Sequence, residues 1–212
     1  MTSADAIPSN RWEPTPRWER RYREVLGVAA GAFAERGYVG ASIKDIADRL
    51  GVRQASLYYY FPSKEAALAA ICELGVKDFI ENLREILSRQ VPVAEKIRAA
   101  IANHLMPLRT HPDAEYIRVF IRHRHELPDG PRHQIAALAR DYQHLVEQLF
   151  IDGIASGELQ PDLNPQRAAL ALLGLCNSVI AARALPQTSS VDDFIEDYAR
   201  MFNYGVLASR SK

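Results

Sequence analysis

Apolar residues recur at steps of three and four along almost the whole chain, and this spacing constrains the fold more than any other feature. In the first such segment they are Tyr22, Val25, Leu26, Ala29, Ala30 and Phe33. Residues at these steps share one face of an α-helix. No convincing apolar–polar alternation typical of a β-strand occurs in the 212 residues. We therefore predict an all-α protein.

Signals for helix starts and stops divide this pattern into separate helices. Gly37 follows the first apolar stripe and Gly51 follows the second, and both suit a helix end. Ser42 and Ser63 each precede a helical segment as an N-cap. The predicted helices cover about residues 17–36, 43–50, a short one within 51–61, 63–88, 92–109, 113–125, 131–156, 165–185 and 191–208.

The charge balance separates the N-terminal segment from the rest. Lys and Arg equal Asp and Glu at 26 each, so the total charge indicates no nucleic-acid partner. Residues 1–64 alone hold ten Lys and Arg against seven Asp and Glu. A modestly basic N-terminal piece therefore precedes a modestly acidic larger one, and this asymmetry alone does not identify a partner.

Cysteine usage and the most apolar stretch predict a soluble, cytoplasmic protein. Cys72 and Cys176 lie far apart inside apolar helical patterns, which is typical of reduced thiols in a protein core. Residues 168–176 form the most apolar stretch, which is shorter than the ~18 residues of a membrane span. We therefore expect no membrane partner.

The first 16 residues predict a disordered arm and not a signal peptide. They contain three prolines and no apolar run. Arg11 lies in this arm, and Arg17, Arg20 and Arg21 follow it. Two interpretations stay open for these arginines: contact with a neighbouring DNA groove or phosphates, and a solvated helix end.

Three short helices, the second and third joined by a tight turn, are typical of a helix-turn-helix unit. The third contains the stretch "GVRQASLYYYF", residues 51–61. At about 100° per residue, inward placement of Leu57 and Phe61 leaves Tyr59 on the opposite face, with Tyr58 and Tyr60 on the flanks. A helix this short cannot bury three phenol rings.

The outward residues of this stretch favour DNA as their partner. Arg53, Gln54 and Ser56 suit base edges, and Ala55 leaves room for a close approach. Tyrosine and lysine suit phosphates. The alternative is that the tyrosine rings cover neighbouring helices and their hydroxyls bind water.

The run "AGAFAERGYVGASIKDIADRLGVRQASLYYYFPSKEAALAAI" resembles the DNA-binding domain of TetR/AcrR-family transcriptional regulators. Its specific elements are "F-x-x-x-G", "S-I-K-D-I-A", "G-V-x-x-x-S-L-Y-Y-x-F" and "S-K-E", and the resemblance covers about residues 17–71. It implies nine or ten helices, a homodimer, a pseudo-palindromic operator and a larger C-terminal domain whose small-molecule effector releases the DNA. We expect a disordered arm (1–16), a three-helix helix-turn-helix domain (17–62) and an effector-binding and dimerisation domain (63–212).

The resemblance also assigns roles by position. It implies a phosphate contact by Ser42, base contacts by the segment Arg53 to Ser56, and a DNA-backbone contact by Lys64. Tyr60 stands where the family commonly has histidine, so any charged imidazole contribution is lost. The expected DNA-binding residues are Ser42, Arg53, Gln54, Ala55, Ser56, Tyr58, Tyr59, Tyr60 and Lys64, with Tyr59 serving either as contact or as cover.

The C-terminal part is expected to hold the effector and the dimer interface. The resemblance implies that the last two helices form a four-helix interface, and Ala171, Gly174 and Ala181 would permit close packing there; purely intrachain packing is the alternative. It also implies a largely apolar effector, such as an acyl-CoA thioester. Polar or aromatic residues predicted for the pocket are His104, Tyr116, Phe120, His123, His144, Gln148, Cys176 and Asn177.

Other function classes lack their motifs in this sequence. No GxSxG, phosphate-binding loop or dinucleotide fingerprint is present, so we expect no enzyme and no cofactor. His123 and His125 are two residues apart and face different ways on a helix, so we expect no metal site. The alternative function is a helical interaction module or ligand-binding protein that binds no operator.

Overall fold

The computed structural model describes residues 15–109, 114–181 and 190–206, and over these ranges the chain forms nine α-helices and no β-strand. The predicted all-α fold is confirmed. The arm predicted for residues 1–16 lies outside the described residues except for its last two. The helices are α1 (Pro16–Gly40), α2 (Ile43–Leu50), α3 (Gln54–Leu57), α4 (Lys64–Ser88), α5 (Val93–Leu105), α6 (Ala114–His123), α7 (Asp129–Ala155), α8 (Pro165–Ala181) and α9 (Val191–Val206).

Local signals in the sequence set the ends of the first two helices. The side chain of Thr15 accepts a hydrogen bond from the backbone of Trp18 and caps α1. Regular geometry in α1 breaks at Gly37, whose φ of 71° is left-handed, as the predicted stop requires. Gly51 ends α2 with a φ of 64°. Both predicted glycine stops are confirmed.

The third helix is short and lies within residues 51–61, as predicted. It consists of one turn, Gln54–Leu57, and a tight turn follows in which the backbone amides of Tyr60 and Phe61 both donate to the Leu57 carbonyl. Leu57 and Phe61 are nonetheless both buried, as predicted. The predicted inward placement is correct because the turn nearly follows the helical direction, so that Phe61 points to the same buried side as Leu57.

Two predicted helices end early in short 3-10 turns. The helix predicted over 92–109 is α5 followed by a 3-10 turn, Met106–Leu108, which contains Pro107. Proline lacks the amide hydrogen that would continue the α-helical bonding pattern. The helix predicted over 113–125 is α6 followed by a second 3-10 turn, Arg124–Glu126.

Helix α4 connects the N-terminal and C-terminal parts of the molecule. At its start it packs on α1, and farther along it packs on α5, α6 and α7. Helix α6 crosses α4 closely at Gly75, where an added β-carbon would lie 2.9 Å from the Tyr116 carbonyl carbon. Helix α6 also packs on α1, so it contacts both the N-terminal unit and the long connecting helix.

The remaining helices form the rest of the C-terminal part. Helix α5 packs on α9 and α8, and α7 packs on α8. A buried cluster runs continuously from Phe33 in α1 to Phe150 in α7. None of the described helices is long and apolar enough to cross a membrane.

Candidate nucleic-acid interface and interior polar cluster

The segment from Arg53 to Phe61 presents a continuous outward surface. Leu57 and Phe61 are buried beneath it. Tyr59 is 66% exposed and Tyr60 is half-buried. The exposed members are Arg53, Gln54, Ala55, Ser56, Tyr58 and Tyr59. The residues expected to read bases are therefore all exposed, at the N-cap and in the single turn of α3.

Gln54 and Tyr58 contact each other on this surface. They lie one helical turn apart, and the Gln54 amide nitrogen donates to the Tyr58 hydroxyl over 3.3 Å. A pair linked in this way has fewer accessible rotamers than two separate side chains. It offers an amide and a phenol in one arrangement to whatever contacts the surface.

Ser42 is exposed, but its hydroxyl is already used within the chain. Its oxygen accepts from the backbone amide of Asp45 over 3.1 Å, and its hydroxyl donates to the Asp45 carboxylate over 2.6 Å. Arg36 pairs with the same carboxylate. The hydrogen bonds from Ser42, followed by the charge of Arg36, hold the pKa of Asp45 below its usual range. A phosphate would therefore compete with Asp45 for the Ser42 hydroxyl.

Lys64 lies against the turn between α1 and α2. Its ammonium donates to the carbonyls of Val39 and Ala41 over 3.3 and 2.9 Å, and it stands 4.4 Å from the centre of the Tyr38 ring. An ammonium has three N–H donors, so two hydrogen bonds leave one donor and the full charge. Lys64 can thus hold this turn and still face an anion.

Three of the residues predicted for the effector pocket belong to one cluster that is interior except at its edge, where Asn177 is exposed. His104 places Nδ1 3.2 Å from the Tyr142 hydroxyl and Nε2 3.2 Å from the Asn177 side-chain oxygen. Cys176 is buried on α8 next to Asn177 in sequence. Asn103 donates to the Phe79 carbonyl of α4 over 3.3 Å and lies 3.5 Å from the Tyr142 hydroxyl. The cluster therefore connects α4, α5, α7 and α8.

Burial keeps this cluster neutral. It lowers the pKa of His104, which the hydrogen bond with Asn177 partly offsets. Burial also raises the pKa of the Tyr142 phenol, and it raises the pKa of the Cys176 thiol to about 12. Sequence reasoning missed Tyr142 and Asn103. Their apolar helical spacing looks like that of core residues, so only the fold shows that their polar atoms face His104.

The other five predicted pocket residues lie elsewhere. Tyr116, Phe120 and His123 are on α6: the Tyr116 hydroxyl donates to the Arg23 carbonyl of α1 over 2.7 Å, and His123 pairs with Glu126. His144 and Gln148 are exposed on α7. The structure therefore divides the predicted pocket set among an interior cluster, a contact with α1 and an outer surface.

A separate groove lies between α4 and α7, with a volume of about 430 Å³. It contains none of the residues predicted for the effector. Its lining consists of Ala69, Glu73, Lys77, Pro131, Gln134, Ile135, Ala137 and Leu138. Within the described ranges, no three His, Cys, Asp or Glu side chains are grouped to hold a metal ion.

Two family models match the chain, one over the N-terminal part and one over the C-terminal part. The model described as "Bacterial regulatory proteins, tetR family" matches residues 25–71, which contain the outward segment. The model described as "Tetracyclin repressor-like, C-terminal domain" matches residues 90–181. The chain belongs to the TetR family of transcriptional regulators.

Named relatives of this TetR-family protein are regulators. The "Fatty acid metabolism regulator protein" of Bacillus subtilis is 25% identical over 162 residues, covering 76% of this chain and 81% of the relative. A TetR/AcrR-family regulator from Thermobifida fusca has a solved structure with 28% identity and a TM-score of 0.65, covering 88% of this chain and 98% of that one.

A second solved structure shares the fold at lower identity. AibR, crystallised with isovaleryl coenzyme A and operator DNA, has 23% identity and a TM-score of 0.71, covering 85% of this chain and 97% of AibR. The predicted membership of the TetR/AcrR family is confirmed by the family models and these relatives together.

Helices α8 and α9 of the TetR-family protein each have an uncovered face. On α8 this face contains small and apolar residues, and Gly174 has no neighbouring atom within 4 Å of an added β-carbon. On α9, Met201 and Tyr204 are 62% and 83% exposed. The exposed residues at helical spacing are Leu170, Ala171 and Gly174 on α8, and Asp197, Met201 and Tyr204 on α9. Ala181 closes α8, and its side chain lies outside the described residues.

Proposed function

We propose that this TetR-family regulator binds a pseudo-palindromic operator as a homodimer and leaves it when a small, largely apolar effector binds. The observation that carries the proposal is the outward surface of Arg53, Gln54, Ala55 and Ser56, held by buried Leu57. Arginine, glutamine and serine match the donors and acceptors of base edges in the major groove, and alanine allows close approach.

We assign the remaining DNA contacts around this surface. Tyr58 and Tyr60 contact phosphates on either side, and Tyr59 either joins them or covers the helix. Lys64 contributes a phosphate contact through its remaining donor and its charge. Ser42 contributes one where the phosphate displaces the Asp45 carboxylate from its hydroxyl. These contacts position the protein, whereas Arg53, Gln54 and Ser56 supply sequence preference.

The exposed face of α8 and α9 supports the homodimer. Two copies of a helix pair with small residues at its surface can approach closely, and burial of Leu170, Met201 and Tyr204 would contribute most of the association energy. A two-fold dimer sets its two DNA-reading turns at related half-sites. The proposal therefore includes half-sites spaced by about one DNA turn or a multiple of it.

We propose that the effector is an acyl-CoA thioester or a similar apolar metabolite. The name of the Bacillus subtilis relative supports this class. The interior cluster around His104 supports the location, because it offers a neutral hydrogen-bonding site amid apolar side chains. Its link from Asn103 to the α4 carbonyl of Phe79 provides a physical connection from that site to the helix that leads to the DNA-binding part.

We also propose which parts of the chain bind DNA, bind the effector and form the dimer. Residues 17–62 would bind DNA, and residues 63–212 would bind the effector and form the dimer, with residues 1–16 as an arm. The protein would act in the cytoplasm without enzymatic activity, as the regulator names of its relatives support. Native mass spectrometry of the purified protein would identify a retained effector by its mass.

A salt titration of DNA binding tests the operator proposal. Fluorescence anisotropy would follow binding of the protein to DNA from upstream of its own coding sequence at several salt concentrations. Log affinity should fall linearly with log salt, because bound phosphates release counterions. Gln54→Ala should lower the preference for this DNA over unrelated DNA by about tenfold, since a good bidentate contact contributes ~1–3 kcal/mol.

Arg84→Ala is the matched control for Arg53→Ala. Each substitution removes one exposed positive charge. Arg84 lies on α4, 20 residues after Lys64, which at ~1.5 Å per residue is about 30 Å along the helix. Arg53→Ala should weaken binding, and Arg84→Ala should not. Equal effects would contradict the assigned surface. A folded dimer that binds no DNA would favour the alternative, a helical ligand-binding or interaction module.

A further inference from the structure

An aromatic stack connects the first turns of α1 to the turn after α3. The rings of Trp18 and Tyr22 lie 4.7 Å apart and nearly parallel, with 13° between their planes. Trp18 also stacks on Tyr60, with ring centres 6.4 Å apart and 27° between planes. Tyr59 packs edge-on against Tyr60 at 5.2 Å. We call Trp18, Tyr22 and Tyr60 the aromatic stack.

Two side chains of α1 lie beside Tyr60. Trp18 stacks on its ring, and Arg21 pairs with Glu24 over 2.6 Å; Glu24 first and then Tyr60 raise the pKa of the Arg21 guanidinium. Both partners belong to α1. The position of this phenol is therefore set by α1 and not by α3, which has already ended at Leu57.

The segment that follows α3 needs such support. A helix of four residues has almost no stability of its own, since isolated helices shorter than ~12–15 residues are marginal in water. Leu57 and Phe61 anchor its inner side. The outer residues Tyr58 to Tyr60 occupy a turn whose hydrogen bonds run only from Tyr60 and Phe61 to the Leu57 carbonyl, so their backbone is held less firmly than in a continuing helix.

The α1 partner in this contact is itself well ordered. Thr15 caps the helix by accepting from the Trp18 backbone amide, and Pro16 at the first position restricts its φ angle. Val25 and Leu26, two turns farther on, are fully buried and fix α1 in the core. Trp18 thus projects from an anchored helix onto a segment that is otherwise held on one side only.

We propose that Trp18 is a positioning residue for DNA binding: by stacking on Tyr60 it fixes the turn that orients Tyr59 and Tyr60 toward the DNA. This inference rests on the proposed operator binding. Trp18 acts through Tyr60 and does not itself read DNA, and its half-buried ring is dispensable for the core that Val25 and Leu26 form. Loss of the stack therefore weakens DNA binding while leaving the fold in place.

A double-mutant cycle tests this role. The four proteins are wild type, Trp18→Leu, Tyr60→Leu and the double variant. Fluorescence anisotropy measures the binding of each to the same upstream DNA at one salt concentration. Trp18→Leu should bind about three- to tenfold more weakly, the range expected for loss of an aromatic pair. The double variant should bind within twofold of Tyr60→Leu, because the proposed effect of Trp18 on DNA binding passes through Tyr60.

Conservative variants separate positioning from folding. Trp18→Phe keeps a ring that can stack and should restore binding to within twofold of wild type. Tyr22→Leu removes the ring on the other side of Trp18 and should cause an intermediate loss of DNA affinity. It provides a second measurement if Trp18→Leu melts near the assay temperature. Circular dichroism melting curves would establish that each variant is folded during the binding assay.

The outcomes distinguish this inference from the proposed function. If wild type binds DNA and Trp18→Leu binds equally well, the positioning role is overturned and operator binding stands. If the losses from Trp18→Leu and Tyr60→Leu multiply in the double variant, Trp18 acts independently of Tyr60, and the positioning role is again overturned. A folded wild-type dimer that binds no DNA overturns both.

Discussion

At the scale of single residues, Lys64 combines a structural contact with a positive charge that we assign to a DNA phosphate. Its hydrogen bonds to Val39 and Ala41 join the start of α4 to the turn before α2. The sequence resemblance indicated only the phosphate contact. The carbonyl contacts could not be foreseen, because they depend on how α1 and α4 pack.

Lys64→Ala is expected to change two separate measurements. The variant should lose roughly 1 kcal/mol of unfolding free energy, since each intramolecular hydrogen bond contributes ~0.5–1.5 kcal/mol and this group is half-buried. Its plot of log affinity against log salt should also be flatter by about one, as for the loss of one phosphate contact. Urea unfolding and a salt titration measure the two effects.

Lys77→Ala provides the control, because Lys77 is an exposed lysine on the same helix whose ammonium pairs with Glu73. It should leave both quantities nearly unchanged. An unchanged salt slope for Lys64→Ala would remove Lys64 from the DNA contacts while keeping its structural role.

His104 makes stability depend on pH. Burial lowers its pKa in the folded protein, so the unfolded chain binds a proton that the folded chain resists. The neutral imidazole contributes to the free energy of unfolding above pH ~6.5, and this contribution is lost as the pH falls below that value. Tyr142 and Cys176, which face the same cluster, stay neutral in this range because burial raises their pKa.

Urea unfolding at pH 7.5 and 5.5 should therefore show a loss of stability for wild type that is smaller in His104→Gln. Glutamine can hydrogen-bond to Tyr142 and Asn177 without titrating. His133→Gln, at an exposed histidine, should follow wild type. An identical loss in His104→Gln and wild type would show that other groups cause the pH dependence.

At residue scale the sequence predicted the exposed surface of residues 53–60 more fully than the interior. Exposure of Ala55 and Ser56 followed from helical angles, because Leu57 and Phe61 defined the inner face; Arg53 and Gln54 were expected to be accessible at the N-terminal end of the helix. The Trp18–Tyr60 stack and the partners of His104 depend on contacts between helices distant in sequence. Helical periodicity carries no information about such contacts.

At the scale of helices, α4 and α6 cross closely at Gly75. Among the described glycines, this is the one where an added β-carbon would come nearest to backbone atoms of another helix. An added β-carbon at Gly75 would lie 2.9 Å from the Tyr116 carbonyl carbon and 3.0 Å from the Ile117 backbone nitrogen. Backbone atoms cannot rotate away as a side chain can. The only accommodation is a shift of α6, which also packs on α1.

Gly75→Ala is expected to destabilise the protein by roughly 1–3 kcal/mol, the usual cost of overpacking, less the ~1 kcal/mol that alanine gains over glycine in a helix. Gly130→Ala adds the same methyl group in α7, where nothing lies within 4 Å, and should be neutral or stabilising. Urea unfolding compares the two variants. Equal stability would contradict the crossing as described.

The sequence predicted the helices themselves well, and the errors have physical causes. Local signals such as Gly37, Gly51 and the serine caps defined boundaries that the structure reproduces. The prediction for 92–109 was too long. There the apolar spacing continued through a 3-10 turn, which preserves nearly the same inward direction.

At the scale of the whole molecule, the exposed face of α8 and α9 is the surface that dimerisation would cover. Tyr204→Arg should convert the dimer to monomer at micromolar concentration, because it places a charge where the proposed interface is apolar. Val91→Arg, at an exposed apolar residue between α4 and α5, should leave the dimer intact. Sedimentation equilibrium measures both; a Tyr204→Arg dimer as stable as wild type would place the interface elsewhere.

We propose above that the exposed surface of residues 53–60 reads DNA from a two-fold dimer. Selection of bound duplexes from a random library by the purified full-length protein, followed by sequencing, tests this directly. We expect enrichment of two inverted half-sites spaced by about one DNA turn or a multiple of it, with altered half-sites for Gln54→Ala. A folded, dimeric protein that enriches no sequence would show that this surface does not read DNA.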